Sequence, residues 1–531
     1  MLKLLRKVNF YHFFWVFLYF FIFCLLLHNS FSYLDPDWGW HLQVGQEIVQ
    51  TKSVPSLNYY NYTFTGNWVD HEWLSNFLIY TVYTNFGYVA ISIIFSLLVI
   101  IVLALLNFSA RRLYPESFWL LVFLQIFGVL AISPHLGVRI QEVGLIFLLP
   151  LLFIIDIYNK QRKWQILLFL LPLMYLWACL HASFLIGFFL LGAWLAVKIG
   201  ERILHYFWPK PWLDLADLIS CRESLIFIGI SILSFGVTLL TPYKLQLYTF
   251  LKGYQNTFYL SRLQEWLSQF SFPLQYLQLL YLAVVTLALI LYVYYAVAPE
   301  KYFKINLWKL FLVVLFVGLS FKSRRHFPLM FVATFLFTIE VYSTLLKTAA
   351  TSTSRTRFNA WLGGYLLLCL FLVGLLELVR TDFTVNPLES YCGIYPCGAA
   401  AYLASHPELD SLNIFNEYSW GGYLIWRLPE RKLFIDGRLP QVEFAGQTFL
   451  EEYLDFFKEQ PMIKEKLDKY QIRIILLPAE DKKISFKYWE KIFFAIKDEE
   501  LNTKNHLRDY LLSAAEWRTV YYDKTAVIYV R

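Results

Sequence analysis

Long apolar segments dominate this sequence and limit how the chain can fold. A helix needs roughly 17 to 25 mostly apolar residues to cross the hydrocarbon core of a bilayer. Segments of that kind occur at residues 10–28, 87–110, 117–134, 140–158, 164–181, 183–200, 224–241, 275–297, 305–321, 327–346 and 359–379. Composition agrees, because 58% of the residues are hydrophobic and only 16% are charged. The sequence predicts a polytopic α-helical membrane protein of about eleven spans.

The distribution of positive charge predicts the orientation of these spans. With the N-terminus in the cytoplasm, 18 Lys and Arg residues fall on the inner side and 8 on the outer side before the last span. Cytoplasmic loops carry the excess of positive charge in membrane proteins. We therefore expect a membrane domain at residues 1–380 with a first outer loop at 29–86. Residues 381–531 would then form an extracytoplasmic domain of a multi-pass cell-membrane protein.

The C-terminal region has the alternating pattern of an α/β domain. Its strand-like segments are LNIFN, KLFID, IRIILLP, WRTVYY and TAVIYV, and its helix-like segments are CGAAAYLASHP and FLEEYLDFFKEQ. Cys392 and Cys397 flank a short loop just beyond the last span. We expect them to form a disulfide, since an extracytoplasmic compartment is oxidising.

Four acidic residues of the first outer loop are candidates for a general base. Asp35 and Asp37 lie in SYLDPDWGWHL, directly after the first span, and Asp70 and Glu72 lie in WVDHEWLS near the end of the loop. A carboxylate at the membrane surface can accept a proton from a reacting group. The alternative is that these acids only cap helices, which is the common role of an Asp at a helix start.

The same loop also offers ligands for a divalent cation. His41 follows Asp37 by four residues, on one face if a helix has begun there, and His71 lies in the second acidic cluster. Carboxylate oxygens and imidazole nitrogens bind divalent cations such as Mg²⁺ or Mn²⁺. Asp37, His41 and His71 are the expected metal ligands.

Cations on the outer side depart from the charge pattern that sets topology. Arg139 lies in the hairpin SPHLGVRIQEVG, and Arg324, Arg325 and His326 lie in FKSRRHFPLM. Because arginine matches phosphate oxygens with two parallel hydrogen bonds, these residues are candidates for binding the phosphate of a lipid carrier. We expect Arg324 and Arg325 to approach Arg139 and the acids of the first loop. Binding to the head groups of membrane lipids, or to local acids, is the alternative.

Several segments carry a resemblance to a known superfamily. They are the first loop from DPDWGWHLQVGQEIV to HEWLSNFLIYTVY, and TLLTPYKLQLY, EWLSQFSF, SRRHFPLM and YSWGGYLIWRLPERKLFIDGR. Together they resemble bacterial GT-C membrane glycosyltransferases, which include protein mannosyltransferases, aminoarabinose transferases and Rgt-type enzymes. The resemblance implies transfer of a sugar from a polyprenyl-phosphate donor to a glycan, lipid or protein acceptor outside the cytoplasm. Asp35 or Asp37 matches the acidic motif at the loop start, with Asp70 and Glu72 as second candidates.

Other functions are open from the sequence. A lipid-carrier flippase or transporter would be expected to carry charged residues within its spans, and such residues are scarce here. An assembly protein that keeps the GT-C-like fold without activity is a further alternative. Nucleic-acid binding is not indicated by the net charge of +7, because no stripe of Lys and Arg with interleaved aromatic residues is present. No glycine-rich nucleotide-binding loop is found either, which favours a lipid-borne donor.

Overall fold

The structure is a computed structural model of the chain. It describes residues 10–208, 212–214, 218–255, 257–298, 302–349, 371–383, 392–444, 446–458, 460–481, 491 and 505–531. In chain order, the helices of the membrane region are α1 (Phe10–Ser32), α2 (Trp38–Thr51), α3 (Trp73–Leu113), α4 (Phe118–Ile132), α5 (Val143–Gln161), α6 (Leu170–Leu180), α7 (Phe184–Phe207), α8 (Cys221–Thr238), α9 (Gln246–Lys252), α10 (Thr257–Arg262), α11 (Tyr276–Val297), α12 (Leu307–Lys322) and α13 (Phe327–Ala349). Residues 371–380 are also helical.

The expected multi-pass helical fold is confirmed. Within the described residues, eight helical segments are long and apolar enough to cross a membrane: Phe14–Ser32, Trp73–Leu113, Phe118–His135, Ile140–Gln161, Phe184–Phe207, Cys221–Thr238, Tyr276–Val297 and Arg324–Lys347. Two further expected spans are shorter helices. One is the apolar segment Trp164–Leu180, which begins as a 3-10 helix, and the other is α12 with 16 residues. The expected span at 359–379 lies largely outside the described residues.

The first loop is mostly helical. Its amphipathic segment HLQVGQEIVQ forms α2, and HEWLSNFLIYTVY forms the start of α3. Gly87 interrupts α3 with a φ of 76° and a ψ of −178°, a conformation that favours glycine. The chain therefore turns at Gly87 from the loop helix into the span expected at 87–110.

The C-terminal domain, here residues 392–531, is built on a four-stranded sheet. The strands lie in the order β1 (Asn413–Asn416), β4 (Ile472–Pro478), β6 (Ala526–Val530) and β5 (Arg518–Tyr522). The pair β1 and β4 is parallel, and β6 runs antiparallel to both β4 and β5. Strands β2 (Glu443–Phe444) and β3 (Gln447–Thr448) form a separate hairpin. The helices of the domain are α14 (Cys397–Ala404), α15 (Gly421–Arg427), α16 (Phe449–Leu454), α17 (Gln460–Lys469) and α18 (His506–Ser513).

Two specific expectations for this domain have different outcomes. The disulfide between Cys392 and Cys397 is present, which confirms that prediction. The assignment of KLFID as a strand of the sheet was wrong, because Leu433 instead forms an isolated parallel bridge with Asn61 of the first loop. Its apolar residues are buried against that loop and the domain core, and this burial gives them the pattern of a strand. The division of the chain at residue 380 stays a prediction.

The C-terminal domain packs directly on the first loop. The backbone N–H of Leu433 donates to the Tyr60 carbonyl at 2.8 Å, and that of Tyr62 donates to the Leu433 carbonyl at 3.3 Å. The Thr63 hydroxyl donates to the Phe434 carbonyl at 2.6 Å. These contacts hold the segment around Leu433 against residues 60–63 of the first loop.

Candidate functional site

A cavity of about 350 Å³ lies where the first loop, the ends of several membrane helices and the C-terminal domain meet. It is lined by segments of the first loop, by the hairpin between α4 and α5, and by the turn between α6 and α7. The segment before α11, the start of α13 and two loops of the C-terminal domain complete it. Charged and imidazole groups from all these elements therefore share one enclosed space.

Asp35 and Asp37 have different surroundings although they are two residues apart. The Asp35 carboxylate accepts a hydrogen bond from the backbone N–H of Asp37 at 2.9 Å, and it lies 3.7 Å from Nε of Arg139. Asp37 precedes α2 but makes no side-chain capping hydrogen bond, and it lines the cavity. Burial raises the pKa of Asp37 well above its usual range, and the neighbouring Asp35 carboxylate raises it further.

The second acidic cluster is divided in the same way. Asp70 is 1% exposed, and its carboxylate accepts hydrogen bonds from the Asn76 side chain and from the backbone N–H of Glu72. Burial raises the pKa of Asp70 to about 7. Glu72 lines the cavity, where it lies 3.5 Å from Nε2 of His71 and 3.4 Å from Nε2 of His181. Burial raises the Glu72 pKa, but the charges and hydrogen bonds of the histidines outweigh it, so the net pKa is lowered.

A hydrogen-bonded chain links Asp70 to His41. The Asn76 amide nitrogen donates to both Asp70 oxygens, at 3.0 and 2.8 Å, so its oxygen is the acceptor for His41 Nδ1 at 2.7 Å. This arrangement puts the His41 proton on Nδ1 and leaves the lone pair on Nε2. His41 lines the cavity, and burial lowers its pKa, which favours the neutral ring. The Asp70 carboxylate thus orients the Asn76 amide, which in turn orients the His41 ring that lines the cavity.

The expected metal ligands do not form a chelate. Asp37, His41 and His71 all line the cavity. Across the described ranges, however, no group of three or more His, Cys, Asp or Glu side chains is arranged to hold a metal ion. Asn76 contacts only Nδ1 of His41, which leaves the Nε2 lone pair available, and His71 lies beside Glu72. Among the described residues these three side chains are therefore not grouped as a ready metal site, and a divalent cation in the cavity stays a prediction.

The expected phosphate-binding residues separate into two groups. Arg139, Arg325 and His326 line the cavity. The Arg139 guanidinium lies 4.7 Å from the centre of the Tyr33 ring, and Arg325 pairs with Glu265 and lies 4.9 Å from the centre of the Trp266 ring.

Arg324 does not line this cavity. Its Nη2 donates to the carbonyls of Ser271 and Pro273, the latter at 3.0 Å, and the side chain is 1% exposed. The contacts described for Arg324 are with backbone carbonyls, so they support a structural role and do not support phosphate binding.

Several residues of the cavity were not among the sequence candidates. His181 follows α6 at the same end of the helices as Arg139, a position that sequence reasoning could have flagged. Glu142 is 2% exposed and accepts a hydrogen bond from the backbone N–H of Gly137 at 2.7 Å. Gly437 and Arg438 come from the C-terminal domain. From the sequence, the Asp436–Gly437–Arg438 turn could be a strand-end turn or could bind the acceptor, but its approach to Asp37 could not be predicted.

Comparisons with known proteins identify the fold. No model of a known protein family matches the sequence, and no curated protein matches it. The apo structure of the oligosaccharyltransferase of Archaeoglobus fulgidus matches with a TM-score of 0.52 and 8% identity, over 90% of this chain and 70% of that one. The same enzyme tethered to an acceptor peptide with an NVT sequon gives 0.51 and 9%, over 88% and 69%.

A third structure is the archaeal oligosaccharyltransferase AglB from Archaeoglobus fulgidus, in complex with an inhibitory peptide and a dolichol-phosphate. Its TM-score is 0.50 at 8% identity, over 90% of this chain and 70% of that one. Identities this low establish a shared fold and nothing finer. The chain shares its fold with these oligosaccharyltransferase structures, and in this chain a helical membrane region is followed by a C-terminal α/β domain, as the sequence predicted.

Proposed function

We propose that this protein is a membrane glycosyltransferase that moves a sugar from a polyprenyl-phosphate-linked donor to an extracytoplasmic acceptor. The observation that carries the proposal is the presence of a carboxylate, Asp37, and two arginines, Arg139 and Arg325, in one cavity. A carboxylate can take up the proton of an attacking group, and arginines can stabilise a departing phosphate. Leu185, Ile186 and Leu329 add an apolar wall suited to the lipid end of a donor.

The solved structures with this fold support a lipid-linked donor. One of them contains a dolichol-phosphate, and another contains a tethered acceptor peptide. Both ligands belong to the reaction class proposed here, namely transfer from a polyprenyl-phosphate carrier to an acceptor. For this chain the acceptor is a glycan, lipid or protein that presents a nucleophilic hydroxyl group.

The transfer is a single displacement at the anomeric carbon. Asp37 accepts the proton of the acceptor hydroxyl as its oxygen forms a bond to the anomeric carbon. The bond from that carbon to the phosphate oxygen breaks, and its electron pair leaves with the phosphate, where Arg139, Arg325 and His326 stabilise the charge. General-base catalysis of this kind contributes about 10²- to 10⁴-fold.

The electrostatics of the cavity suit the two acids to different tasks. Burial raises the Asp37 pKa, which makes Asp37 a stronger base than an ordinary carboxylate. Glu72 remains ionised, because the charges and hydrogen bonds of the neighbouring histidines lower its pKa despite burial. A permanently negative Glu72 would stabilise the positive charge that develops at the anomeric centre in the transition state.

The test is an assay of purified protein against a panel of polyprenyl-phosphate sugars, with products identified by mass spectrometry and their anomeric configuration by NMR. We expect one donor to yield a glycoside of inverted configuration and free polyprenyl phosphate. Asp37→Asn should lower the rate at which this product forms by about 10²-fold or more. Asp156→Asn is the matched control, since Asp156 does not line the cavity and pairs with Lys160, 2.6 Å away, where both side chains are exposed. A product with retained configuration would contradict the single displacement.

A further inference from the structure

Gly437 of the C-terminal domain lies directly against the carboxylate of Asp37. A Cβ atom added at Gly437 would lie 2.1 Å from Oδ1 and 3.2 Å from Cγ of Asp37. The backbone of Gly437 is outside the left-handed region, so glycine is required here for space rather than for its conformation. Because Gly437 has no side chain, its backbone lies directly against the Asp37 carboxylate.

A buried ion pair fixes the turn that carries Gly437. Arg438 Nε and Nη2 donate to Oδ1 and Oδ2 of Asp436, both at 2.8 Å, and the backbone N–H of Arg438 donates to Oδ1 at 2.9 Å. Both side chains are almost fully buried, at 1% and 0% exposure. A bidentate Arg–carboxylate ion pair holds its two side chains in one orientation, so the backbone between Asp436 and Arg438 is fixed as well.

Arg438 also ties the turn to the first loop. Its Nη2 donates to Asn58 Oδ1 at 3.0 Å and to Asn61 Oδ1 at 3.2 Å. The guanidinium lies 4.6 Å from the centre of the Tyr60 ring and 4.7 Å from that of Trp68. Stacking of a planar guanidinium on two aromatic rings leaves it little freedom. The position of Gly437 is thus set relative to the loop that contains Asp37.

A second close approach lies on the other side of Asp37. A Cβ atom at Gly422 would lie 2.3 Å from the Pro36 carbonyl oxygen, and one at Gly39 would lie 2.1 Å from the Gly422 carbonyl oxygen. Both contacts are between backbones, which cannot move aside as a side chain can. The C-terminal domain therefore contacts the chain just before and just after Asp37.

We propose that Gly437 is a positioning residue for sugar transfer: its bare backbone sets where the Asp37 carboxylate lies in the cavity, with Arg438 holding the turn in place. The inference rests on the proposed function, in which Asp37 is the base. A side chain at position 437 would push the carboxylate away from the acceptor hydroxyl. Misplacement of a reacting group by about 1 Å can cost about 10²-fold in rate.

The experiment compares Gly437→Ala, Asp37→Asn and Gly393→Ala in the full-length protein. Gly393 lies in the same domain, and apart from its chain neighbours no described residue lies within 4 Å of where its Cβ would be, so its alanine variant is the matched control. We expect Gly437→Ala to lower kcat by about 10²-fold while KM for the donor and Tm stay close to those of the wild type. The acid limb of its pH profile should also move, because the carboxylate leaves its buried position. Gly393→Ala should behave as wild type.

The outcomes separate the two proposals. Full kcat in Gly437→Ala, with Asp37→Asn inactive, overturns the positioning role and leaves the base assignment intact. Full activity in Asp37→Asn overturns the base assignment itself. If Gly437→Ala does not fold, Arg438→Lys serves in its place. Lysine keeps the positive charge but cannot form the bidentate ion pair with Asp436. A folded Arg438→Lys variant with wild-type kcat overturns the inference.

Discussion

The carboxylate of Asp35 accepts a hydrogen bond from the backbone N–H of Asp37 at 2.9 Å, so the two acids of one short motif do different things. Asp35 closes a turn and lies beside Arg139, whereas Asp37 makes no capping bond and lines the cavity. The capping role weighed for both acids from the sequence fits neither of them, because Asp37 is the N-cap residue without a side-chain bond and Asp35 accepts from the N–H two residues on, in a turn before the helix. This difference makes the two residues separable by mutation.

The first prediction compares Asp37→Asn with Asp35→Asn. Asparagine cannot accept the proton, so Asp37→Asn should lower kcat by about 10²-fold or more. Asparagine can still accept the backbone hydrogen bond at position 35, so Asp35→Asn should keep most of its activity. Both variants should unfold near the wild-type temperature. Equal and complete loss of activity in the two variants would contradict the separate roles given to Asp35 and Asp37.

The second prediction concerns pH. Because burial and the Asp35 charge raise the pKa of Asp37, and a base must be deprotonated, kcat should rise as pH rises through that pKa. The acid limb should therefore lie well above the ordinary aspartate value of about 3.9. Asp35→Asn removes the like charge and should move the limb to lower pH. A limb near pH 4 in the wild type, or an upward shift in the variant, would contradict the assignment.

The third prediction separates the two adjacent arginines. Arg324→Gln should destabilise the protein by about 1–3 kcal/mol, because it removes the donors to the Ser271 and Pro273 carbonyls. Arg325→Gln should leave Tm nearly unchanged but weaken phosphate binding and lower kcat/KM for the donor. Thermal unfolding and donor kinetics measured side by side decide the matter. If Arg325→Gln leaves the donor kinetics unaltered, Arg325 does not bind the donor phosphate.

The fourth prediction concerns stability and the Asp70 chain. The Asp70 pKa is raised to about 7, so its ionisation disfavours the folded state, and stability should fall as pH rises through 7. The Asn76 amide favours the ionised form, so Asn76→Ala should cost about 1–3 kcal/mol, more at pH 8 than at pH 5.5. Asn505→Ala is the control: it removes an exposed hydrogen bond to Asp481 and the N-cap bond from the Arg508 backbone N–H, and its cost should be the same at both pH values.

The fifth prediction concerns orientation. Reporter fusions after Arg112, Lys163 and Lys347 should lie in the cytoplasm, and fusions after Lys52 and at Arg531 should lie outside. The basis is the excess of Lys and Arg in the segments assigned to the inner side. A cytoplasmic reporter at Arg531 would reverse the orientation and place the cavity at the inner surface.

The sequence predicted those elements that depend on residues close together in the chain. Apolar segments must be long to cross a bilayer, so most spans were found close to their observed bounds. Charged residues at the ends of spans need compensation, so the acids of the first loop could be grouped with Arg139 and Arg325. Contacts between residues far apart in the chain leave no such pattern. KLFID was therefore read as a strand, and the approach of Gly437 to Asp37 was not foreseen.

The measurement that tests the central claim most directly follows a labelled sugar in proteoliposomes. The protein is supplied with a polyprenyl-phosphate donor labelled in the sugar, and an acceptor, and the label is followed in the lipid and acceptor fractions. We predict that wild-type protein moves the label to the acceptor and releases one polyprenyl phosphate per sugar transferred, whereas Asp37→Asn transfers the label slower by about 10²-fold or more. The contradicting result is that the label stays lipid-linked and crosses the bilayer to the same extent with wild-type protein and with Asp37→Asn. That result would indicate a flippase.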